Sequence, residues 1–103
     1  MDLLTGQNKA NFKIWYANWQ EQNDYYKAFH KLPFAMQEGV LKAYYRDFGV
    51  FIEATNDDFN NGFYSKVYTL EKQHRFLCSK TYEIAMKQAF KTANELMNQT
   101  TTP

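Results

Sequence analysis

The sequence predicts an α+β domain in the order α-α-β-β-β-α, a three-stranded antiparallel meander with helices packed on one face. Three observations predict it. Between residues 11 and 30 the aromatics Phe12, Trp15, Tyr16, Trp19, Tyr26 and Phe29 recur at steps of three, four and seven, the spacing that lines one side of a helix. After Gly49 the apolar period drops to two, as in a strand buried on one face only. Beyond Ser79 the residues Tyr82, Ala85, Met86, Ala89, Phe90, Ala93, Leu96 and Met97 resume the helical repeat with hardly a fault.

Each element has its own punctuation. Residues 1–8 show no clear periodicity and the closing QTTTP is polar and β-branched, so fraying is expected at 1–8 and 99–103 around an ordered core of about 9–98. The first helix meets a polar interlude, QEQND at 20–24, which either continues as an exposed turn or holds a new N-cap at Asn23 or Asp24. Pro33 suits the first turn of a second helix, PFAMQEGVLKAYYRDFG, whose buried side is Phe34, Val40, Leu41, Tyr44 and Phe48. Gly49 stands where a left-handed C-terminal residue is expected. Gly39 costs that helix roughly 1 kcal/mol against alanine, and close packing of another element would account for it.

In the first strand Val50, Ile52 and Ala54 point one way and Phe51, Glu53 and Thr55 the other. The turn is NDDFNNG, with Asn61-Gly62 as its hairpin signal because both residues tolerate positive φ. The returning strand covers residues 63–71, with Tyr64, Tyr68 and Leu70 on one side and Phe63, Val67 and Thr69 on the other. After a turn at KQHR a short third strand is expected at 75–78, and Ser79 then caps the last helix, with Glu83 placed where the helix dipole favours a carboxylate.

Composition bounds the function. A chain of 103 residues fits one domain, 1–103, and leaves no room for a second. No apolar run approaches the roughly 18 residues of a membrane span, and MDLLTGQNKANFK lacks the basic and then apolar blocks of a signal peptide, so a cytoplasmic protein that makes no membrane contact is expected. A single cysteine, Cys78, rules out an intrachain disulfide. The formal charge of +1 argues against a protein whose main work is coating nucleic acid, which requires many clustered cations. Aromatics make up 18% of the chain, more than a core of this size hides, so some belong at the surface, where Tyr and Trp favour interfaces.

No convergent set of groups points to catalysis. His74 and Cys78 are four apart across a turn and strand that would not aim them together, and two histidines leave little for a metal. Asp57 and Asp58 lack the glycine and glutamate spacing of a calcium loop and serve better as turn formers. No glycine-rich phosphate loop is present. The expectation is therefore no enzyme, no metal and no cofactor. Trp15 and Trp19 belong to the core stripe, whereas Tyr25 and Tyr45 fall off the stripes and are the candidate partner contacts.

The segment LPFAMQEGVLKAYYRDFGVFIEA, then a hairpin, then SKTYEIAMKQAFKTANELM, resembles small uncharacterised proteins of phages and prophages of Bacteroidetes. They share an upstream Trp-Tyr helix, a Pro-Phe-x-Met-Gln-x-Gly-Val entry into a helix and a closing alanine-rich helix, over roughly residues 12–98. The resemblance implies a setting, the cytoplasm of a host cell, and a fold, and it transfers no site. From Pro33 onward the order helix, three strands, helix is also similar to the double-stranded RNA-binding domain, which holds phosphates with lysines at the start of its last helix. Ser79-Lys80 sits at the matching place, but Tyr82, Glu83 and Ile84 stand where further lysines are wanted, and Asp57-Asp58 would repel phosphate.

Lys80, Lys87 and Lys91 share one side of the last helix and are the candidate nucleic-acid contacts, though Glu83 and Glu95 flank them and Ile84 interrupts them. A solvated face is the better reading. The expected function is that of a non-catalytic accessory protein that binds a partner macromolecule, a protein before a double-stranded nucleic acid, with a homodimer among the arrangements its aromatics allow.

Overall fold

The structure, a computed structural model, describes residues 3–57, 62–75 and 80–101, with backbone alone at 57, 74, 75, 100 and 101. The fold class is α+β: three α-helices with an antiparallel sheet, as expected.

Helix α1 spans Gly6–Asn23. Its stripe buries Phe12 and Tyr16 and half-buries Trp15 and Trp19, as the spacing requires. It stops at Asp24, whose left-handed backbone, φ 50°, lets its amide reach the Glu21 carbonyl and the Tyr25 amide the Gln20 carbonyl. The polar interlude is thus a C-terminus, neither a continuous turn nor a new N-cap. The helical phase is lost there, which leaves Tyr26 exposed and moves Phe29 into a separate 3-10 turn, Phe29–Lys31.

Helix α2 spans Phe34–Asp47 and ends as the sequence implies. Gly49, φ 77°, places the Val50 amide on the Tyr45 carbonyl and its own amide on the Arg46 carbonyl, and Val50 is buried beyond it. Phe48 is half exposed instead of buried, because it is the residue at which the helix turns off, and its ring rests edge-on against Tyr44. Gly39 faces open space, so the close packing expected there is absent.

Strands β1, Phe51–Asp57, and β2, Gly62–Tyr68, pair antiparallel with Ile52 opposite Val67 and Phe51 opposite Tyr68. The tip between them, including Asn61, lies outside the described residues. β2 stops three residues short of the expected end because Thr69 closes a turn: its amide donates to the Lys72 carbonyl, and its hydroxyl accepts the Glu71 and Lys72 amides. Leu70, at that turn, is almost fully exposed instead of standing on a strand face. Residues Gln73–Arg75, expected as a turn, form β3 and pair antiparallel with the end of β2, Val67 opposite His74. The strand expected at 75–78 lies outside the described residues except for Arg75.

Helix α3 spans Tyr82–Thr101, with Thr81 in place of Ser79 as its cap: the Thr81 hydroxyl accepts the Ile84 amide at 3.2 Å. It lies across both long strands. Ala85, Ala89 and Ala93 are fully buried beneath it, with Ala54 and Ser65 as small neighbours on the sheet, so the helix can approach closely. Met86 and Phe90 fill the remaining space.

Fraying is the expectation at 1–8, of which residues 3–8 are described. From Leu3 onward the chain is packed: Leu4 and Asn8 are buried, and α3 supplies the partners for the first amides of α1. The Asn94 side-chain oxygen accepts the Thr5 amide at 3.0 Å, and that of Asn98 accepts the Asn8 amide at 2.9 Å. Two asparagines of one helix therefore cap another, which answers donors that the helix start cannot answer itself. Gly6, φ 60°, is needed here, since a β-carbon would stand 3.0 Å from the Asn98 side chain.

Candidate interaction surfaces

Sheet residues in register share a face, so Ile52, Ala54, Ser65 and Val67 lie toward α3, and Phe51, Glu53, Tyr64, Lys66 and Tyr68 toward the other side. On the second face none of the described side chains is buried. Phe51 and Tyr68 stack with ring centres 5.3 Å apart, and the Lys66 ammonium stands 5.1 Å from the Tyr68 ring and 3.7 Å from the Glu53 carboxylate. The centre of the face is thus a half-exposed aromatic pair beside a cation that already has a carboxylate. Such a patch can bury apolar area against another surface without bringing an unpaired charge with it.

The residues singled out from the sequence are scattered. Tyr25 is half-buried, edge-on to Trp19 just beyond the end of α1. Tyr45 is fully buried, which removes it as a partner contact: α2 is enclosed on two sides, so the residue next to Tyr44 packs as deeply as Tyr44 does. Lys80 and Lys91 are exposed. Lys87 is half-buried, 3.7 Å from Glu83 and 5.2 Å from the Phe34 ring, so its ammonium already serves α2 and α3.

A buried polar cluster escaped the sequence reading. The Asn8 side-chain amide donates to Tyr45 Oη at 3.0 Å and to Asn94 Oδ1 at 2.8 Å, while Tyr44 Oη donates to Asn8 Oδ1 at 2.7 Å. The signal for it was Asn94 and Asn98, four apart among the apolar positions of α3, where a polar residue must find a partner or be costly. Its chemistry is structural. Burial pushes the Tyr44 phenol up to about 12 and the Tyr45 phenol higher still, so both stay protonated, Tyr44 donating to Asn8 and Tyr45 accepting from it, and neither offers a nucleophile.

Among the described residues, Tyr82 is the one other strongly perturbed group. Burial and its hydrogen bond to the Glu38 carboxylate push the phenol up to about 12. Glu38 also faces Lys42 at 3.7 Å, which makes this a surface pairing between α2 and α3. Among the described residues, no three His, Cys, Asp or Glu side chains gather as a metal site. Cys78 lies outside those residues, as does the side chain of His74. No described helix is long and apolar enough to cross a membrane.

No protein-family model matches the chain, and neither the curated proteins nor the solved structures contain a significant match to it.

Proposed function

We propose that this chain is a non-catalytic accessory protein of phage or prophage type, acting in the host cytoplasm by binding another protein through the open face of a three-stranded meander. The observation that carries the proposal is the half-exposed Phe51–Tyr68 stack beside the Glu53–Lys66 pair. Aromatic anchors with a neutralised charge beside them match the core of a protein interface. A phosphate-binding surface needs cations to spare, and here Lys66 is held by Glu53 and Lys87 by Glu83. For that reason double-stranded nucleic acid takes second place as a partner.

The test compares wild type with Phe51→Ser/Tyr68→Ser, both immobilised and exposed to host lysate. The double variant should stay folded, since cross-strand pairs contribute about 1 kcal/mol. A protein retained by wild type at about 0.5 M salt, where phosphate contacts are largely screened, and lost with the variant supports the proposal. Equal retention by both, or retention of nucleic acid alone, overturns it. Light scattering on the same two samples shows whether the partner is a second copy of the chain.

A further inference from the structure

The outer face of the sheet is built from cross-strand pairs whose two members are unlike in kind. Phe51 of β1 stands in register with Tyr68 of β2, Glu53 with Lys66, and Thr55 with Tyr64. The two members of a pair lie side by side at one height along the ribbon, about 5 Å apart. Phe51, Glu53, Lys66 and Tyr68 all keep part of their surface in water, 47% of the side chain for Glu53 and 29% for Lys66.

That arrangement is complementary to itself. A two-fold axis parallel to the strands, running in front of the face between β1 and β2, lays β1 of one copy over β2 of the other without shifting either along the strand direction. Phe51 of each copy then faces Tyr68 of the other, and Glu53 of each faces Lys66 of the other. An axis across the strands does worse: centred on the charged row it lays Glu53 on Glu53 and Lys66 on Lys66, and centred a row away it lays Glu53 on Phe51. The charges thus select one of the two orientations in which two copies can stack. It is the aligned packing of two sheets, about 10 Å apart. The four rings then meet in one cluster, and beside them carboxylate and ammonium alternate around the axis. The ion pair present in one chain at 3.7 Å is extended to the second copy and not broken.

We infer that the occupant of the outer sheet face is a second copy of this chain, in a two-fold dimer whose axis runs along the β1–β2 ribbon. The inference rests on the reading that this face binds protein, and it names the partner. A face that is electrically balanced at its centre draws no partner by net charge, whereas its own pattern matches it pair by pair. With β1 and β2 each seven residues long, the face measures about 24 Å by 14 Å, less than the roughly 800 Å² per partner of a standard stable interface. The dimer is therefore reversible and depends on concentration.

The experiment is sedimentation equilibrium of the full chain from about 5 μM to about 1 mM, the range in which small interfaces associate. Wild type should rise from the mass of one chain toward that of two, and Phe51→Ser/Tyr68→Ser should weaken this tenfold or more. Glu53→Lys sets two ammonium groups face to face across the axis, and Lys66→Glu two carboxylates, so each alone should also weaken association tenfold or more with an unchanged circular dichroism spectrum. An equimolar mixture of these two variants restores opposite charges at both contacts and should associate at least tenfold more tightly than either by itself. If a single variant melts early, Glu53→Lys/Lys66→Glu, which keeps an ion pair within the chain, should dimerise on its own. Three outcomes overturn the inference: a wild type that stays at the mass of one chain throughout, a dimer that none of these substitutions weakens, or a mixture that associates no better than its components. A monomeric wild type that still retains a host protein through Phe51 and Tyr68 overturns the second copy and leaves the protein-binding reading standing. No dimer together with equal retention by wild type and Phe51→Ser/Tyr68→Ser overturns both.

Discussion

Two aromatic clusters in this chain share their chemistry and differ in what surrounds them. In the helical cluster the Phe12 ring has Phe29 at 4.9 Å, Tyr44 at 5.1 Å and Tyr16 at 5.6 Å, and Phe12 and Tyr44 are buried by helices on several sides. In the sheet cluster Phe51 and Tyr68 stack at 5.3 Å, and neither is buried, because α3 occupies the opposite face of the strands. Ring contact alone therefore does not separate core from interface. Enclosure does, and it is set by topology: a helix stripe is covered by whatever packs on it, whereas a two-layer fold leaves one sheet face without a cover.

The largest expected effect tests that contrast directly. Phe12→Ala removes a buried ring and should cost about 3–5 kcal/mol, the transfer loss plus the cavity left behind. Phe51→Ala removes a ring that already meets water and should cost about 1 kcal/mol. Urea titrations of both variants against wild type measure the difference. Equal losses would mean that the outer sheet face is as enclosed as the helical junction, and the protein-binding proposal would lose its support.

A middle-sized effect separates the clusters by pH. Burial raises the Tyr44 phenol to about 12 and the Tyr45 phenol further, against about 10 in an unfolded chain. Below pH 10 both states hold these protons, and the stabilising hydrogen bonds to Asn8 are fully present. Between pH 10 and 12 the unfolded chain releases protons that the folded chain keeps, so stability falls as pH rises through that window. Denaturant midpoints should hold steady up to pH 9.5 and then decline. Tyr44→Phe should start lower, having lost a buried hydrogen bond, and decline less steeply. A parallel decline in the variant would place the titrating group elsewhere, with Tyr45, raised further still, as the next candidate.

The helical cluster was largely legible in the sequence, and the reason is local. Phe12 and Tyr16, or Met86, Ala89, Phe90 and Ala93, state their side by spacing alone, and the structure buries all six. The alternation through Val50, Ile52 and Ala54 likewise fixed which face of β1 turns inward. What could not be read depends on partners distant in the chain. Asn8 sits in a stretch without periodicity, and its burial is intelligible only once Asn94, 86 residues away, is beside it. Tyr45 is off the stripe of α2, yet α2 is covered on two sides, a property of the assembled domain and not of the helix. The exposed aromatics expected from composition do exist, at Tyr26, Phe48 and Tyr82, with Phe51 and Tyr68 half-buried on the strand face opposite α3, whereas Tyr45 is buried.

The smallest expected effect concerns Lys80, Lys87 and Lys91, replaced together by Gln. Lys80 and Lys91 are exposed, and exposed single charges are worth fractions of a kcal/mol. Lys87 contributes more than they do, through its i,i+4 pair with Glu83 and its place over the Phe34 ring. The two contacts together set the expected loss at about 1 kcal/mol or less. Retention of a protein partner through Phe51 and Tyr68 should not change. If these lysines instead grip a duplex, three phosphate contacts would contribute a salt slope of roughly two to three, and the triple variant would no longer shift duplex RNA or DNA in a gel titration at two salt concentrations. Wild-type binding at micromolar protein that disappears in the variant would overturn the protein-binding proposal, because α3, which carries Lys87 and Lys91, and the aromatic pair of the sheet lie on opposite faces of the same strands. Absence of a shift with either protein is the outcome that the protein-binding proposal expects.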